Sequence, residues 1–135
     1  MDAELLKRAE QAVERLRQTY PEWVMSDVNN MAALVKKAKT LSGEERTACL
    51  DEIFSFSHNI KGQGTSFGYP LMTEIGESLC RFLRASKTVD KTTFSLIEHH
   101  ILAMRAVIQN RICDADDPHA AKTVSELRAA GTKLT

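Results

Sequence analysis

The chain has 135 residues, enough for one domain (1–135) with a single sizeable core and too few for a second catalytic module. Eighteen Lys and Arg balance eighteen Asp and Glu, so no net field draws the chain to nucleic acid or to an anionic membrane. The opening stretch, MDAELLKRAEQAVERL, interleaves charge with apolar side chains and reads as neither signal peptide nor membrane span. Cys49, Cys80 and Cys113 form no CxxC pair and sit in apolar helical stretches, as buried reduced thiols do, so a cytoplasmic, soluble protein is expected.

Apolar residues recur at helical spacing almost throughout and no stretch alternates strictly, which predicts an all-α fold. A first helix, about 3–18, carries Leu5, Leu6, Ala9, Val13 and Leu16 on one face and is expected to end near Tyr20-Pro21, where proline interrupts it. A second, about 22–41, repeats Val24, Val28, Met31, Val35 and Ala38 in 4-3-4-3 steps. Ser42-Gly43-Glu44-Glu45 fits a capping box and predicts a third helix, with a stripe of Leu50, Ile53, Phe56, Ile60 and Phe67 running toward Gly68-Tyr69-Pro70. Helix four, about 70–86, should bury Leu71, Ile75, Leu79 and Phe82. Asp90 suits the N-cap of helix five, about 91–113, with Phe94, Ile97, Ile101, Met104 and Ile108 inward. A short last helix should follow Asp117-Pro118 and stop by Gly131. The expected architecture is an antiparallel four-helix bundle over about 22–113, with an additional N-terminal helix and a short C-terminal one.

The chemistry concentrates at residues 58–68, His-Asn-Ile-Lys-Gly-Gln-Gly-Thr-Ser-Phe-Gly, where an imidazole, an ammonium and a bare backbone position fall within about one helical turn. At about 100° per residue, His58 lies roughly 140° from the stripe centred on Ile53 and Ile60, so it should face solvent. Lys61 and Thr65 flank it ahead and Phe54 one turn back; Phe54 suits either a docking patch or a contact with a neighbouring helix. Gly62 and Gly64 inside a helix each cost about 1 kcal/mol relative to Ala, which suggests that close backbone approach is wanted there. Helix four, running back from Pro70, should bring Glu77, Cys80 and Arg81 to the height of His58. A carboxylate accepting from Nδ1–H would leave Nε2 free to attack, which makes Glu77 either the orienting group or a solvated surface charge.

The spacing His-x-x-Lys-Gly, with a further Gly ten residues after the histidine, resembles the histidine-containing phosphotransfer (HPt) domain of phosphorelays, and most closely the amino-terminal phosphotransfer domain of chemotaxis histidine kinases. The motif covers 58–68, and the helical pattern extends the resemblance to about 22–113. It implies that His58 is the phosphoacceptor through Nε2, that Lys61 stabilises the phosphoryl oxygens, that Gly62 admits the partner and that Gly68 ends the helix at the hairpin. Phe54, Asn59, Gln63 and Thr65 would meet that partner. Two positions depart from the family's pattern: Gln63 stands where small residues are usual, and Cys80 aligns where the chemotaxis kinases have an orienting glutamate.

The implied activity is that of a phosphoryl carrier, accepting from a receiver-domain aspartate or a kinase and passing to another receiver. The implied partners are response-regulator receivers and a sensor or hybrid histidine kinase. No cofactor of its own is expected; Mg²⁺ would come with the receiver, because no acidic cluster surrounds His58. No P-loop occurs and no room remains for a kinase domain. A monomer is expected, with a dimer through the first helix as the other possibility. Two other functions fit less of the sequence. A metal-binding bundle would draw on His99, His100 or His119, yet the residues three before the histidines are Ser55, Leu96, Ile97 and Asp116, so Glu-x-x-His is missing, and surface or boundary positions suit His99 and His100. A helical adaptor that binds a receiver or kinase without taking phosphate shares almost every feature, but leaves the His-Lys-Gly set without a purpose.

Overall fold

The computed structural model describes residues 2–135, and its first helix overturns the expected break at proline. Helix α1 runs without interruption from Ala3 to Thr40, with Pro21 inside it. An interior proline costs about 3 kcal/mol, because it loses one amide hydrogen bond and crowds the carbonyl a turn earlier. Two features of this chain offset that cost. The residues before Pro21 are mostly strong helix formers, and Tyr20 and Pro21 are both buried. The Tyr20 ring stacks on Phe67 at 5.2 Å and meets Trp23 edge-on at 4.8 Å, which clamps the helix just where proline weakens it. The two helices expected over 3–18 and 22–41 are therefore one rod.

Helix α2, Gly43–Gln63, starts where the sequence places it, but not by a capping box: the Ser42 hydroxyl makes no cap bond. Instead Gly43 turns the chain at φ +58° and Glu44 and Glu45 occupy the first turn, at the positive end of the helix dipole. A 3₁₀ turn, Thr65–Phe67, and Gly68 in the left-handed region at φ +88° close the hairpin into helix α3, Pro70–Ala85. Helix α4, Lys91–Gln109, is capped by Asp90, whose carboxylate accepts from the Thr93 N–H at 3.0 Å. It ends short of the expected 113, so Cys113 is exposed, whereas Cys49 and Cys80 are buried and all three are free thiols. Helix α5, Pro118–Leu134, continues through Gly131 rather than stopping there. A Cβ on Gly131 would lie 3.7 Å from the Phe82 ring, so this glycine serves close packing on α3.

The second half of α1 packs with α2, α3 and α4 as the expected antiparallel bundle. Cross-links fix the directions: Arg46 Nε donates to Ala38 O, Ser57 Oγ to Gly76 O, and Arg105 to Asn29. Val24, Val28, Met31, Ile53, Ile60, Leu71, Ile75, Leu79, Ile97 and Met104 are wholly buried between them. Helix α5 is not a mere addition, because it lays Ala120, Val124 and Leu127 over α3 and α4. From Ala3 to Thr19, by contrast, α1 reaches past the bundle with no buried residue.

His100 also departs from its expected boundary position and is fully buried. Its Nδ1 lies 2.8 Å from Leu96 O, an acceptor only, so Nδ1 carries the proton and Nε2 accepts from Ser78 Oγ at 2.9 Å. Both nitrogens of the neutral ring are thus satisfied, and burial holds its pKa below the usual value. The sequence carried this signal, since Thr93, Ile97, His100, Met104 and Val107 form a 4-3-4-3 stripe and are all buried.

Candidate functional site

Helix α2 turns Cys49, Ile53, Ser57 and Ile60 inward, which leaves His58 and Asn59 on its exposed outer face. His58 therefore points to solvent, as its helical phase requires. Its nearest wall is Phe54, whose ring stacks parallel to the imidazole at 6.2 Å and is covered on its own account by the Arg84 guanidinium at 5.0 Å. Phe54 is half-buried and lines a cleft of about 410 Å³ with Leu50, Leu83 and Val89. Its contact with Arg84 of α3 fits the reading as a neighbouring-helix contact, and the cleft it lines lies beside the ring that stacks on His58.

Lys61, Glu77, Cys80, Arg81 and Arg84 line a second cleft, of about 370 Å³, between α2 and α3. Lys61 is half-buried there and makes no salt bridge among the described residues. Its ammonium is thus available to an anion arriving at His58. Arg84 was not among the sequence candidates, because the hairpin arithmetic stopped one turn short of it; its spacing of three from Arg81 and seven from Glu77 is the signal that places it on the same face.

Glu77 does not orient the imidazole. Its carboxylate receives the Arg81 guanidinium at 2.7 Å, one helical turn along α3, and no hydrogen bond joins it to His58 among the described residues. Cys80 does not substitute for it. The thiol is buried, lies 4.0 Å from Phe54 O and is pushed up in pKa by that burial, with Ser57, Lys61 and Arg84 pulling the other way. It is a protonated packing group beneath the site. Among the described residues the His58 ring thus has no hydrogen-bond partner, and both of its nitrogens are open.

The glycines divide into two kinds. A Cβ on Gly62 would meet nothing within 4 Å, so this position is an open approach beside His58. On Gly64 it would sit 2.7 Å from Thr73 N and 2.8 Å from Tyr69 O, so that glycine closes the hairpin internally and offers nothing to a partner. Gly76 is a second close approach, between the bodies of α2 and α3: its Cβ would fall 2.9 Å from Lys61 N and 3.0 Å from Ser57 O. The main chain that carries His58 and Lys61 rests directly on α3 there. Of the remaining expected contacts, Thr65 lies in the 3₁₀ turn, its N–H and hydroxyl both held by Thr73 Oγ1 at 2.8 and 3.0 Å. Gln63 is half-buried with its Oε1 enclosed and without a partner, whereas Thr65 stays exposed and Asn59 is exposed on the same outer face as His58.

Among the described residues no three His, Cys, Asp or Glu side chains converge to hold a metal ion, and no helix is long and apolar enough to cross a membrane. No family model, curated protein or solved structure matches the chain.

Proposed function

We propose that the protein is a histidine phosphotransfer carrier of the HPt type, which takes a phosphoryl group on His58 from a receiver-domain aspartyl phosphate or a kinase and passes it to another receiver. One observation carries this reading: a solvent-facing imidazole beside an ion-pair-free Lys61 and a vacant Gly62, all on one outer face of a helical bundle. The lone pair of Nε2 attacks phosphorus, the bond from phosphorus to the aspartyl oxygen breaks, and the partner's carboxylate departs with the electron pair. The imidazole keeps its proton on Nδ1 and carries the resulting phosphohistidine, which reverses the same steps on a second receiver.

The chain's own part is positioning and charge. Lys61 neutralises the transferring oxygens, and Arg84 adds positive potential at the rim of the cleft, where Arg81 is paired with Glu77. Mg²⁺ belongs to the receiver in this scheme, and no kinase activity resides in the chain. The three free thiols suit a reducing, cytoplasmic setting.

The test is to mix the protein with receivers carrying labelled aspartyl phosphate. Acid-labile, base-stable label should appear on the wild type and vanish in His58→Gln. Receiver binding without any transfer of label would instead establish a non-phosphorylated adaptor.

A further inference from the structure

The projecting part of α1 is amphipathic and its apolar face is half-exposed; at its root Glu14, Arg17 and Gln18 border a cleft shared with Phe67, Gly68, Tyr69 and Arg111. Leu6, Ala9, Val13 and Leu16 continue, in helical phase, the stripe that Tyr20, Val24, Val28, Met31 and Val35 bury in the bundle. Yet Leu5, Leu6, Val13 and Leu16 are 59%, 46%, 44% and 50% exposed. Leu6, Val13 and Leu16 on one helical ridge, with Leu5 at its edge, are a surface made to be covered.

We infer that this ridge is covered by the same ridge of a second copy, the two projecting helices pairing antiparallel about a two-fold axis. Three observations select that occupant. First, the projection carries Asp2, Glu4, Glu10 and Glu14 against Lys7, Arg8, Arg15 and Arg17, a neutral set that attracts neither a strongly acidic nor a strongly basic partner. Second, the set is graded. The acids Asp2 and Glu4 lie at the tip, and Arg15 and Arg17 at the root where α1 enters the bundle, so antiparallel self-pairing sets acid beside base at both ends while parallel pairing sets like beside like.

Third, the length fits. Leu6 and Val13 hold one core position of a heptad and Ala9 and Leu16 the other. Placing Leu6 against Leu16 of the second copy and Ala9 against Val13 brings Ala3 opposite Thr19, the last residue before buried Tyr20. The whole projection is used, and the pairing stops short of the buried Tyr20 of each copy. Side chains on a helix lean toward its N-terminus, so Glu10 of one copy and Arg17 of the other, on the same flank, lean toward each other, twice by symmetry. A contact about 25 Å long and about 10 Å wide covers about 250 Å² of each copy, on the order of 500 Å² in total, the class of weak, concentration-dependent assemblies. This dimer leaves the His58 face of each bundle free and does not depend on the phosphotransfer reading.

Sedimentation equilibrium on the full chain from about 10 µM to about 500 µM tests it. The weight-average mass should rise from 15.1 kDa toward twice that value. Leu6→Glu with Leu16→Glu should stay at the monomer mass with unchanged urea stability of the bundle. Glu10→Arg should weaken association at least fivefold, and adding Arg17→Glu to it should restore most of the loss. A wild type that stays at 15.1 kDa at the highest concentration overturns the dimer, and so does a mass that passes through dimer to larger species. Failure of the charge swap to restore association overturns the antiparallel register.

Discussion

Two glycines of the site helices should respond to alanine with opposite signs. At Gly62 the added methyl meets no atom within 4 Å, so the only effect is the gain in helix propensity, about 0.5–1 kcal/mol in favour of the fold. Gly76 offers the same gain, but there the methyl falls 2.9 Å from Lys61 N, 3.0 Å from Ser57 O and 3.1 Å from Lys61 Cα. All three are backbone atoms, so no side chain can swing away and α2 must move off α3. Overpacking of this kind costs about 1–3 kcal/mol, which exceeds the propensity gain and leaves Gly76→Ala less stable by about 1–2 kcal/mol. The same shift pulls Gly76 O from the buried Ser57 hydroxyl, which now donates to it at 3.0 Å, and a buried hydroxyl left without its acceptor adds to the loss. Urea unfolding followed by circular dichroism should therefore separate the variants by about 1 M in midpoint, with wild type between them. A Gly76→Ala protein as stable as wild type would refute the claim that main-chain contact sets the spacing of these helices. A Gly62→Ala protein destabilised by more than about 1 kcal/mol would refute the vacancy beside His58.

Further outcomes follow from the same geometry. Gly62→Trp should keep wild-type stability yet lose at least tenfold in receiver-dependent labelling, and undiminished labelling would show that the partner approaches elsewhere. Lys61→Ala should slow transfer by roughly 10²-fold, the usual effect of removing one group that stabilises developing charge, while receiver affinity measured by titration changes little; an equal loss in both would make Lys61 a docking residue. Glu77→Gln should leave the transfer rate within about twofold, because the carboxylate is engaged with Arg81; a much larger loss would restore it as the orienting group. Burial holds His100 below the usual histidine pKa of 6.5, so the unfolded chain takes up the proton first. Stability from this group should be level above about pH 6.5 and fall as pH drops below it, by at most about 1.4 kcal/mol per pH unit, until His100 is itself protonated. Urea midpoints between about pH 5 and 7 should show a shallower fall in His100→Gln, and an identical slope would remove His100 from the acid response.

What the sequence made legible was whatever depends on local phase. The stripes of α2, α3 and α4 and the solvent-facing phase of His58 follow from 3.6 residues per turn, and the αL turn at Gly68 and the Asp90 cap follow from residue type. Three departures, at Pro21, Gly131 and His100, have a different origin, because each depends on a partner distant in sequence. Pro21 was read as a stop because its local cost is real, but Phe67 and Tyr69 pack on Tyr20 and hold the helix together. Gly131 was read as a helix end, yet it is a contact with Phe82. A surface or boundary position is expected of His100 because the Ser78 hydroxyl that satisfies it lies on another helix. Gly76 and Arg84 went unnoticed at the site for the same reason: each acquires its role only from the packing of α3 against α2.

That packing also bears on the weakest point of the resemblance, the group that orients the histidine. The backbone beneath His58 is rigidly seated, since Ser57 O and Lys61 N leave no room for even a methyl on Gly76. The ring above it has no hydrogen-bond partner, only the parallel face of Phe54 at 6.2 Å and the Arg84 guanidinium behind that. The site thus fixes where the imidazole is anchored and along which face it lies, while leaving its tautomer open. A base attached to a rigid helix but free in protonation geometry reaches its productive form when the partner supplies the missing hydrogen bond or phosphate contact. On this reading, Cys80→Glu should be the informative gain-of-function variant. It sets a carboxylate in the cleft lined by Lys61 and Arg84, with the aim of holding Nδ1–H before the partner arrives. If orientation limits transfer, this variant should phosphorylate faster at unchanged receiver affinity, and nitrogen NMR should show its His58 ring fixed with the proton on Nδ1. If it takes phosphate no faster although NMR shows that tautomer fixed, the imidazole is already productively oriented in the wild type and the missing orienting group has no kinetic consequence.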